Sequence, residues 1–293
     1  MTDTFQNPTI APTRFHYRMR VPWAEVDMQK IVFNAHYLMY LDTAMAEYWR
    51  ALALPYEETL AQCGGDLYVK KATVEYFASA HWDDALDIGL QCQRVGESSV
   101  VFFGSIFCDG KLLATGELIY VFADPATQLP KPVPMSLRNA LLGYEAGEPF
   151  LTLAVGDWQT LGDAARAIRL EVFVQEQQIP LALEQDAQDV DALHVVARNR
   201  LGAPVATGRL LVAAPGVSKI GRVAVKRSLR GTGVGQMALQ ALVDAAIARG
   251  DQKVMLHAQA SATRFYLTQG FLKTGEPFKE AGIEHIAMVK QLQ

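Results

Sequence analysis

The first residue placed for chemistry is a carboxylate close to the start of an apolar helix. Asp27 precedes a helix that the apolar spacing predicts over about 35–52. Because the first amides of a helix have no acceptor within it, they can polarise a carbonyl oxygen. Asp27 could attack that carbonyl or activate a water molecule. The plainer alternative is that Asp27 holds a turn and that Asn34 caps the helix.

A glycine-rich segment is the second candidate. The residues Arg230–Gly235 read RGTGVG, between a strand predicted at Lys219–Val225 and a helix predicted at Gly235–Arg249. Glycines let backbone amides approach a pyrophosphate, and the helix N-terminus adds positive potential. The spacing differs from the dinucleotide fingerprint GxGxxG, and no Lys-Ser or Lys-Thr follows the last glycine as in a P-loop. The segment is either a phosphate cradle or a simple loop.

The elements around Asp27 predict an α+β arrangement. A strand is predicted at 15–21 before the helix, and turns at 95–97 and 109–110 separate segments rich in Val, Ile, Phe and Tyr. These segments predict strands at 67–77, 85–95, 98–108 and 111–122. One long helix followed by an antiparallel meander is an α+β plan.

The second half alternates strands with helices, which predicts a mixed α/β sheet covered on both faces. Helices are predicted at 164–175, 235–249 and 261–269, the last with a serine N-cap and a glycine after its end. Strands are predicted at 192–198, 205–213, 219–225, 253–259, 271–274 and 284–290.

The length predicts two domains, because 293 residues exceed the roughly 150 of one average domain. Four prolines interrupt regular structure after the first half, at Pro125, Pro130, Pro132 and Pro134. We therefore predict a polar tail at 1–14, a first domain at 15–136, a linker at 137–148 and a second domain at 149–293.

The composition is that of an ordinary globular chain, with half of the residues apolar, 20% charged and a net charge of −4. The slight acidity argues against sequence-independent nucleic-acid binding, which needs a basic face. The longest apolar run, 118–123, is far shorter than the roughly 20 residues that cross a bilayer. The N-terminus also lacks an apolar secretory signal. We expect a cytoplasmic protein with no membrane span and no nucleic-acid partner.

Cysteine and histidine spacing argues against disulfides and metal. Cys63, Cys92 and Cys108 form no C-x-x-C pair, and the histidines show neither H-x-x-x-H nor H-E-x-x-H spacing. We expect reduced thiols and no metal site.

The surroundings of Asp27 carry a family resemblance. The pattern D-x-x-x-I-V-F-x-A-x-Y, the helix YLMYLDTAMAEYWRALAL and the later text YVKKATVEYF to ATGELIYVFAD resemble the hotdog-fold acyl-CoA thioesterases of the 4-hydroxybenzoyl-CoA type. The resemblance implies a helix wrapped by an antiparallel sheet, subunits that pair through that sheet and metal-free thioester hydrolysis. It implies that Asp27 is catalytic and that amides around Asn34, Ala35 and His36 polarise the carbonyl.

Two departures from the hotdog pattern bear on this site. Lys30 stands where the family usually has glycine, so that it alters the turn or contacts a CoA phosphate. Asn34 and His36 stand where many members have histidine and then asparagine, which leaves open the side chain that orients the thioester. The alternative for His36 is a structural role, in which its side chain packs against the helix or caps it. Glu47 is a second candidate carboxylate, for which a solvated or subunit-interface role is favoured.

The second half resembles the GNAT acyltransferases. RGTGVG matches R-x-x-G-x-G, the acetyl-CoA motif of that family, and VFVQEQQIP, LHAQASATRFY and KEAGIEHIAM resemble its ElaA-like branch. The resemblance implies a GNAT mixed α/β fold and direct acyl transfer to an amine. It implies that Tyr266 protonates the leaving thiolate. Backbone amides would hold the carbonyl and the pyrophosphate, at Val223, Ala224 and Val225 and at Arg230, Gly231, Thr232, Gly233, Val234 and Gly235.

The general base is left open between Glu176 and His285, both of which could face the acceptor pocket. Three arginines are candidate acceptor anchors, but ion pairs with Glu171, Glu176, Asp186 or Asp189 are the preferred interpretation; they are Arg169, Arg209 and Arg222. Gln259 either contacts the cofactor amides or satisfies the splayed backbone.

These assignments predict a homo-oligomeric enzyme with two activities. The first domain would hydrolyse an acyl-CoA, and the second would transfer acetyl or another acyl group from CoA to an unidentified amine. One alternative is an acyltransferase whose hotdog domain is non-hydrolytic and serves dimerisation or acyl-CoA sensing. A second is a relative of the autoinducer synthases, and a third is a non-enzymatic sensor, against which the intact RGTGVG segment and Tyr266 argue.

Overall fold

The computed structural model describes residues 12–292, so most of the tail expected at 1–14 lies outside the described residues. The chain divides after Phe150 into two compact units, each with a sheet of its own. None of the helices within the described range is long and apolar enough to cross a membrane.

The first unit is an antiparallel sheet with a long helix against it, as the predicted α+β plan requires. Its strands follow the order β1-β3-β4-β5-β2, and they are β1 (Phe15–Arg20), β2 (Asp66–Tyr76), β3 (Ala85–Val95), β4 (Ser99–Cys108) and β5 (Lys111–Ala123). Its helices are α1 (Asn34–Ala51), α2 (Tyr56–Cys63) and α3 (Met135–Glu145). The short α2, which ends at a left-handed Gly64, is an addition to the predicted elements.

Two glycines in the centre of the sheet let α1 pack closely. Gly104 and Gly116 are direct cross-strand partners on β4 and β5, and Leu41 of α1 lies fully buried over them. A Cβ atom would lie 2.4 Å from Leu41 at position 104 and 2.3 Å from it at position 116. The helix therefore depends on the absence of side chains at both positions.

Helix α3 occupies most of the predicted linker at 137–148. Leu137 and Leu141 have a helical spacing and are fully buried. Glu145 accepts hydrogen bonds from the Tyr48 hydroxyl on α1, at 2.5 Å, and from the Cys92 amide of β3, at 2.9 Å. The segment is thus part of the first unit, because its apolar stripe packs on the sheet rather than facing solvent.

The second unit is a seven-stranded mixed sheet in the order β11-β12-β10-β9-β8-β7-β6. Its strands are β6 (Leu151–Gly156), β7 (Leu193–Asn199), β8 (Pro204–Ala214), β9 (Val217–Val225), β10 (Lys253–Gln259), β11 (Leu272–Glu280) and β12 (Ile283–Gln291). Its α-helices are α4 (Trp158–Arg169), α5 (Leu181–Glu184), α6 (Val234–Ala248) and α7 (Thr263–Thr268). A π-helical turn, Leu170–Glu176, continues α4.

Strands β9 and β10 form the parallel pair of this sheet, and they separate halfway along. Their pairing runs from Val217 with Lys253 to Ile220 with Leu256. Beyond it, β9 stays with β8 as far as Val225, and β10 stays with β12 as far as Gln259. The two strands therefore open into a V, whose apex follows Ile220 and Leu256.

Two candidate active sites

A tight hairpin carries Asp27 to the start of α1. Val26 and Val32 form an antiparallel bridge, and the Phe33 amide donates to the Glu25 carbonyl at 3.0 Å. The Asp27 amide donates to the Ile31 carbonyl at 2.9 Å, and its Oδ1 accepts from the Gln29 amide at 2.7 Å. Asp27 therefore holds the turn as the plainer interpretation expects, and its second carboxylate oxygen is left for other partners.

Lys30 has the backbone conformation that its replacement of glycine implies. Its φ is +64°, in the left-handed region that glycine adopts without a steric penalty. Since Lys30 follows Asp27 closely in the same turn, its strain bears directly on the geometry of the carboxylate.

The start of α1 presents backbone donors, although fewer than expected. Asn34 is the first helical residue and not the cap, since Phe33 holds the N-cap position. The His36 amide donates to the Phe33 carbonyl at 2.9 Å. Within the described residues, the amides of Asn34 and Ala35 have no acceptor, as expected at a helix start. The Asn34 carbonyl accepts from the Tyr76 hydroxyl at 2.9 Å.

His36 lies beside these amides with one buried nitrogen unsatisfied. Its Nδ1 has no partner within the described residues, and its ring stacks on Tyr40 at 6.5 Å. The Tyr40 hydroxyl donates to Glu25 at 2.5 Å, and burial together with this carboxylate raises the pKa of Tyr40. Because an unpaired buried nitrogen costs free energy, a ligand group that bonds to Nδ1 would be favoured.

Glu47 lies too far along α1 to replace Asp27. It pairs with Arg50 at 3.1 Å. It follows Asn34 by 13 residues on one helix, about 20 Å at 1.5 Å per residue. This placement agrees with the favoured interpretation of Glu47 as a surface residue.

The glycine segment forms the N-terminus of α6. Gly231 and Gly233 have φ values of +85° and +89°, and Gly233 is the N-cap of the helix. The Arg230 and Thr232 amides already donate to the carbonyls of Arg227 and Leu229. The donors left for a pyrophosphate are therefore the amides of Gly231, Gly233, Val234 and Gly235.

Glu176, a candidate to face the acceptor pocket, is bound by Arg230 of the glycine segment. Its two carboxylate oxygens each accept from Arg230 at 2.6 Å. The hydrogen bonds and the charge of Arg230 lower the pKa of Glu176. A carboxylate held in this way is a weak proton acceptor, which argues against Glu176 as the general base.

A cavity of about 960 Å³ joins most of the predicted second site. It is lined by both arms of the V, the glycine segment and α7, and it includes Val223, Ala224, Val225, Arg230, Gly231, Gly233, Gly235, Tyr266 and His285. Glu176, Thr232 and Val234 are absent from its described lining. Gln259 lines it too, and its side chain donates to Gln177 at 3.0 Å.

Tyr266 is suited to give a proton to a leaving group. It is 9% exposed and packs edge-on against Phe265 and Phe271, with centroids at 4.9 and 5.9 Å. Burial raises the pKa of Tyr266 to about 12. The hydroxyl therefore keeps its proton at neutral pH, so it is present in the cavity as a proton donor.

Two histidines line the cavity, and one of them, His285, is a candidate base from the sequence. His285 Nδ1 lies 2.8 Å from the Ile283 carbonyl, which can only accept, so Nδ1 carries the proton of the neutral ring. His257 Nδ1 lies 2.8 Å from Glu280, and both residues line the same cavity. Sequence spacing gave no signal for this pair, because it forms only through the pairing of β10, β12 and β11.

The three arginines form ion pairs, the interpretation preferred from the sequence; Arg169 and Arg209 are buried, and Arg222 is half-buried. Arg169 donates to Asp189 at 2.8 Å and also bonds to Glu184. Arg209 donates to Asp186 at 2.6 Å and to Asp189 at 2.7 Å, and Arg222 donates to Asp186 at 3.0 Å.

The other two carboxylates that were expected to pair with these arginines form ion pairs with different residues. Glu171 pairs with Lys226 at 2.9 Å, and Glu176 pairs with Arg230. No group of three or more metal-ligating side chains occurs among residues 12–292.

Comparisons with known proteins divide the chain in the same way. The family profile "Acetyltransferase (GNAT) domain" matches residues 160–292, and the profile "Thioesterase-like superfamily" matches residues 21–141. The uncharacterized N-acetyltransferase YjcF of Bacillus subtilis is 36% identical over 124 residues, which are 42% of this chain and 87% of that protein. The acyl-CoA thioester hydrolase YbgC of Escherichia coli is 29% identical over 126 residues, which are 43% of this chain and 93% of that protein.

Among solved structures, Escherichia coli ElaA is 29% identical with a TM-score of 0.44, over 48% of this chain and 99% of ElaA.

Proposed function

The chain belongs to the GNAT acetyltransferases through residues 160–292 and carries a thioesterase-like domain over residues 21–141, and from this premise we propose that it is a bifunctional enzyme of CoA thioesters. The first unit hydrolyses an acyl-CoA at Asp27. The second transfers an acyl group, acetyl in the simplest case, from CoA to an amine. Both units take the same carrier, so one pool of acyl-CoA supplies two reactions.

The hairpin that delivers Asp27 to the start of α1 supports the hydrolysis. In this proposal the amides of Asn34 and Ala35 polarise the thioester carbonyl. Asp27 either takes a proton from the attacking water or attacks the carbonyl carbon itself. If Asp27 acts as base, water adds to the carbonyl carbon, the carbon–sulfur bond breaks and the proton taken from water goes to the thiolate. If Asp27 attacks, the carbon–sulfur bond breaks to leave an anhydride with Asp27, which water then hydrolyses to the acid and free Asp27, the proton that water loses going to the thiolate.

The single cavity that unites the V, the glycine segment and Tyr266 is the observation that carries the transfer. In this proposal the amides of Gly231, Gly233, Val234 and Gly235 bind the pyrophosphate. The amides of Val223–Val225 hold the thioester carbonyl, and Tyr266 protonates the departing sulfur. The acceptor ammonium must first lose a proton to an imidazole of the cavity wall, for which His285 is the candidate from the sequence.

The oligomer proposed for the first unit would use the edge of its sheet. Strand β2 is an edge strand, and Val69 and Tyr76 on it are 56% and 47% exposed. Near Asp27, Met28 is fully exposed and Trp23 is 78% exposed. Apolar surface and an open strand edge together favour a second copy of the chain on this side.

Thiol release from acetyl-, hexanoyl-, dodecanoyl- and benzoyl-CoA, without any amine, tests the hydrolysis. Asp27→Asn keeps an oxygen for the Gln29 amide but removes the base or nucleophile, so we expect about a 10²- to 10⁴-fold loss. Asp124→Asn is the matched control, because Asp124 also accepts turn amides, from Ala126 and Thr127. Hydrolysis indifferent to Asp27 would contradict the proposal.

The same assay with added amines tests the transfer. Amine-dependent thiol release that falls in Tyr266→Phe, with unchanged hydrolysis by the first unit, is the expected result. If transfer occurs without any hydrolysis, the second candidate function holds: an acyltransferase whose first unit binds acyl-CoA without cleaving it. The strained Lys30 beside Asp27 is the feature that favours this second candidate.

A further inference from the structure

His257 occupies the point at which the two arms of the V separate. The last parallel pair joins Ile220 to Leu256, so Gly221 and His257 are the first residues beyond it. Both line the cavity, and Gly221 has open space where a Cβ would lie. His257 therefore lines the cavity at the apex of the V.

The ring of His257 is held from two sides. Its Nδ1 is engaged by Glu280 Oε2 at 2.8 Å, which leaves Nε2 as the nitrogen free to act. Phe278 packs edge-on against the ring with centroids at 4.9 Å. A base whose second nitrogen is bound to a carboxylate is oriented and made more basic.

We propose that His257 is the general base of the second unit and that Glu280 is its positioning residue. The proposal rests on the transferase function proposed above and deepens it. Glu176 is excluded by its two bonds to Arg230, and His285 has a backbone carbonyl rather than a carboxylate behind it. His285 instead stacks on Phe278 at 6.1 Å, so it supports the aromatic wall against which His257 rests.

The charges around His257 come from three neighbouring strands. Lys219 lies on β9, Glu280 on β11 and His285 on β12, and all three line the cavity. Burial alone would raise the pKa of Glu280. The net change is a lowered pKa, caused by the hydrogen bond from His257 and by the charges of His257, His285 and Lys219. Glu280 therefore stays ionised and remains an acceptor for a proton on Nδ1 of His257.

The proton balance of the transfer is complete with these groups. The acceptor ammonium gives one proton to Nε2 of His257, which passes it to solvent. The freed lone pair attacks the acyl carbon, the carbon–nitrogen bond forms and the carbon–sulfur bond breaks. Tyr266 gives its proton to the departing sulfur and is restored by the second proton that the nitrogen loses.

Kinetics of acetyl transfer to a pooled set of alkyl amines, diamines and amino acids test the base. His257→Gln should lower kcat by about 10²- to 10⁴-fold while the KM for acetyl-CoA stays within twofold. Glu280→Gln should lower kcat with the KM for acetyl-CoA unchanged, because the imidazole loses the carboxylate that orients it, and Glu280→Asp should restore part of the loss. His16→Gln is the matched control, since His16 makes the same kind of pair with Asp87 in the first unit, at 2.7 Å.

Chemical modification gives a readout that needs no acceptor. Diethyl pyrocarbonate should modify His257 faster than His16, acetyl-CoA should protect His257 alone of the two, and Glu280→Gln should slow its modification. If acetyl-CoA fails to protect His257, the proposal is overturned even where transfer is observed. It is also overturned if the acid limb of the kcat profile disappears in His285→Asn and persists in His257→Gln. If acetyl-CoA protects His257 but no amine is acetylated, the transferase function itself fails and the proposal fails with it.

Discussion

Arg230 grips Glu176 with two hydrogen bonds of 2.6 Å, across 54 positions of sequence. The pair ties the π-helical turn after α4 to the glycine segment before α6. The pair therefore fixes the position of the glycine segment, to which we have assigned pyrophosphate binding as a proposal, and it occupies the guanidinium of Arg230.

Glu176→Gln should weaken cofactor binding without removing the base. The KM for acetyl-CoA should rise because the glycine segment loses its anchor, while kcat should change by less than about tenfold, well short of the loss of a general base. Glu171→Gln breaks the neighbouring ion pair with Lys226 and serves as the control. Initial-rate kinetics decide, and a collapse of kcat with an unchanged KM would restore Glu176 as the base.

Lys30→Gly should stabilise the first unit by about 1 kcal/mol, because a β-carbon at a left-handed φ costs about 1–2 kcal/mol and part of the gain is lost to chain entropy. Lys30→Ala keeps the strained backbone and should bring no such gain. Urea unfolding of the three proteins measures the difference. Equal stability of the glycine and alanine variants would show that the turn stores no strain at this position.

Gly116→Ala should destabilise the first unit by about 2 kcal/mol, within the usual cost of an overfilled core. Leu41 cannot turn aside, because its other methyl group already lies against Gly104. The double variant Gly116→Ala/Leu41→Ala should lose less free energy of unfolding than the two single variants together, since the clash disappears. A fluorine label on Trp49 of α1 reports this unfolding, and strict additivity would contradict the packing described.

The second unit should lose stability steeply in acid. Although burial alone would raise it, the hydrogen bonds from Arg169 and Arg209 lower the pKa of Asp189 below its ordinary 3.8. The folded form therefore binds this proton less tightly than the unfolded form. The stabilising contribution is complete above the ordinary pKa and disappears as the pH falls through the folded value.

Thermal unfolding between pH 7 and about pH 2, followed by a fluorine label on Trp158, checks this dependence. Asp189→Asn should lower the stability at pH 7 and flatten the acid slope. Asp163→Asn, at a fully exposed carboxylate on α4, should leave both as they are. An acid slope that survives Asp189→Asn would place its origin elsewhere.

The sequence predicted the elements whose apolar period is long, and the candidate site residues singled out from it lie next to those elements. The helix at 35–52 and the strands that follow it were recognisable because one face of each is buried. The glycine segment was recognisable because its glycines, the strand before it and the helix after it are adjacent in the chain.

Two kinds of feature could not be predicted from the sequence: contacts that depend on strand pairing, and elements with only a short local pattern. His257 and Glu280 meet only because β10, β12 and β11 are neighbours in the sheet. The bonds between Glu176 and Arg230 join residues 54 positions apart, and nothing in the segment around Glu176 predicts them. Helix α3 was hidden by the prolines before it, although its apolar stripe at 137 and 141 has a helical spacing.

The opening of β9 and β10 has a consequence for the lifetime of the second unit. One side of the Val223–Val225 backbone faces the cavity instead of a strand, and a bound thioester would complete its hydrogen bonding in the folded state alone. A ligand at a hundred times its Kd adds about 2.7 kcal/mol to the free energy of unfolding, which lowers the population open to proteases about a hundredfold. The resistance of the second unit to proteases should therefore rise with the concentration of a bound CoA thioester.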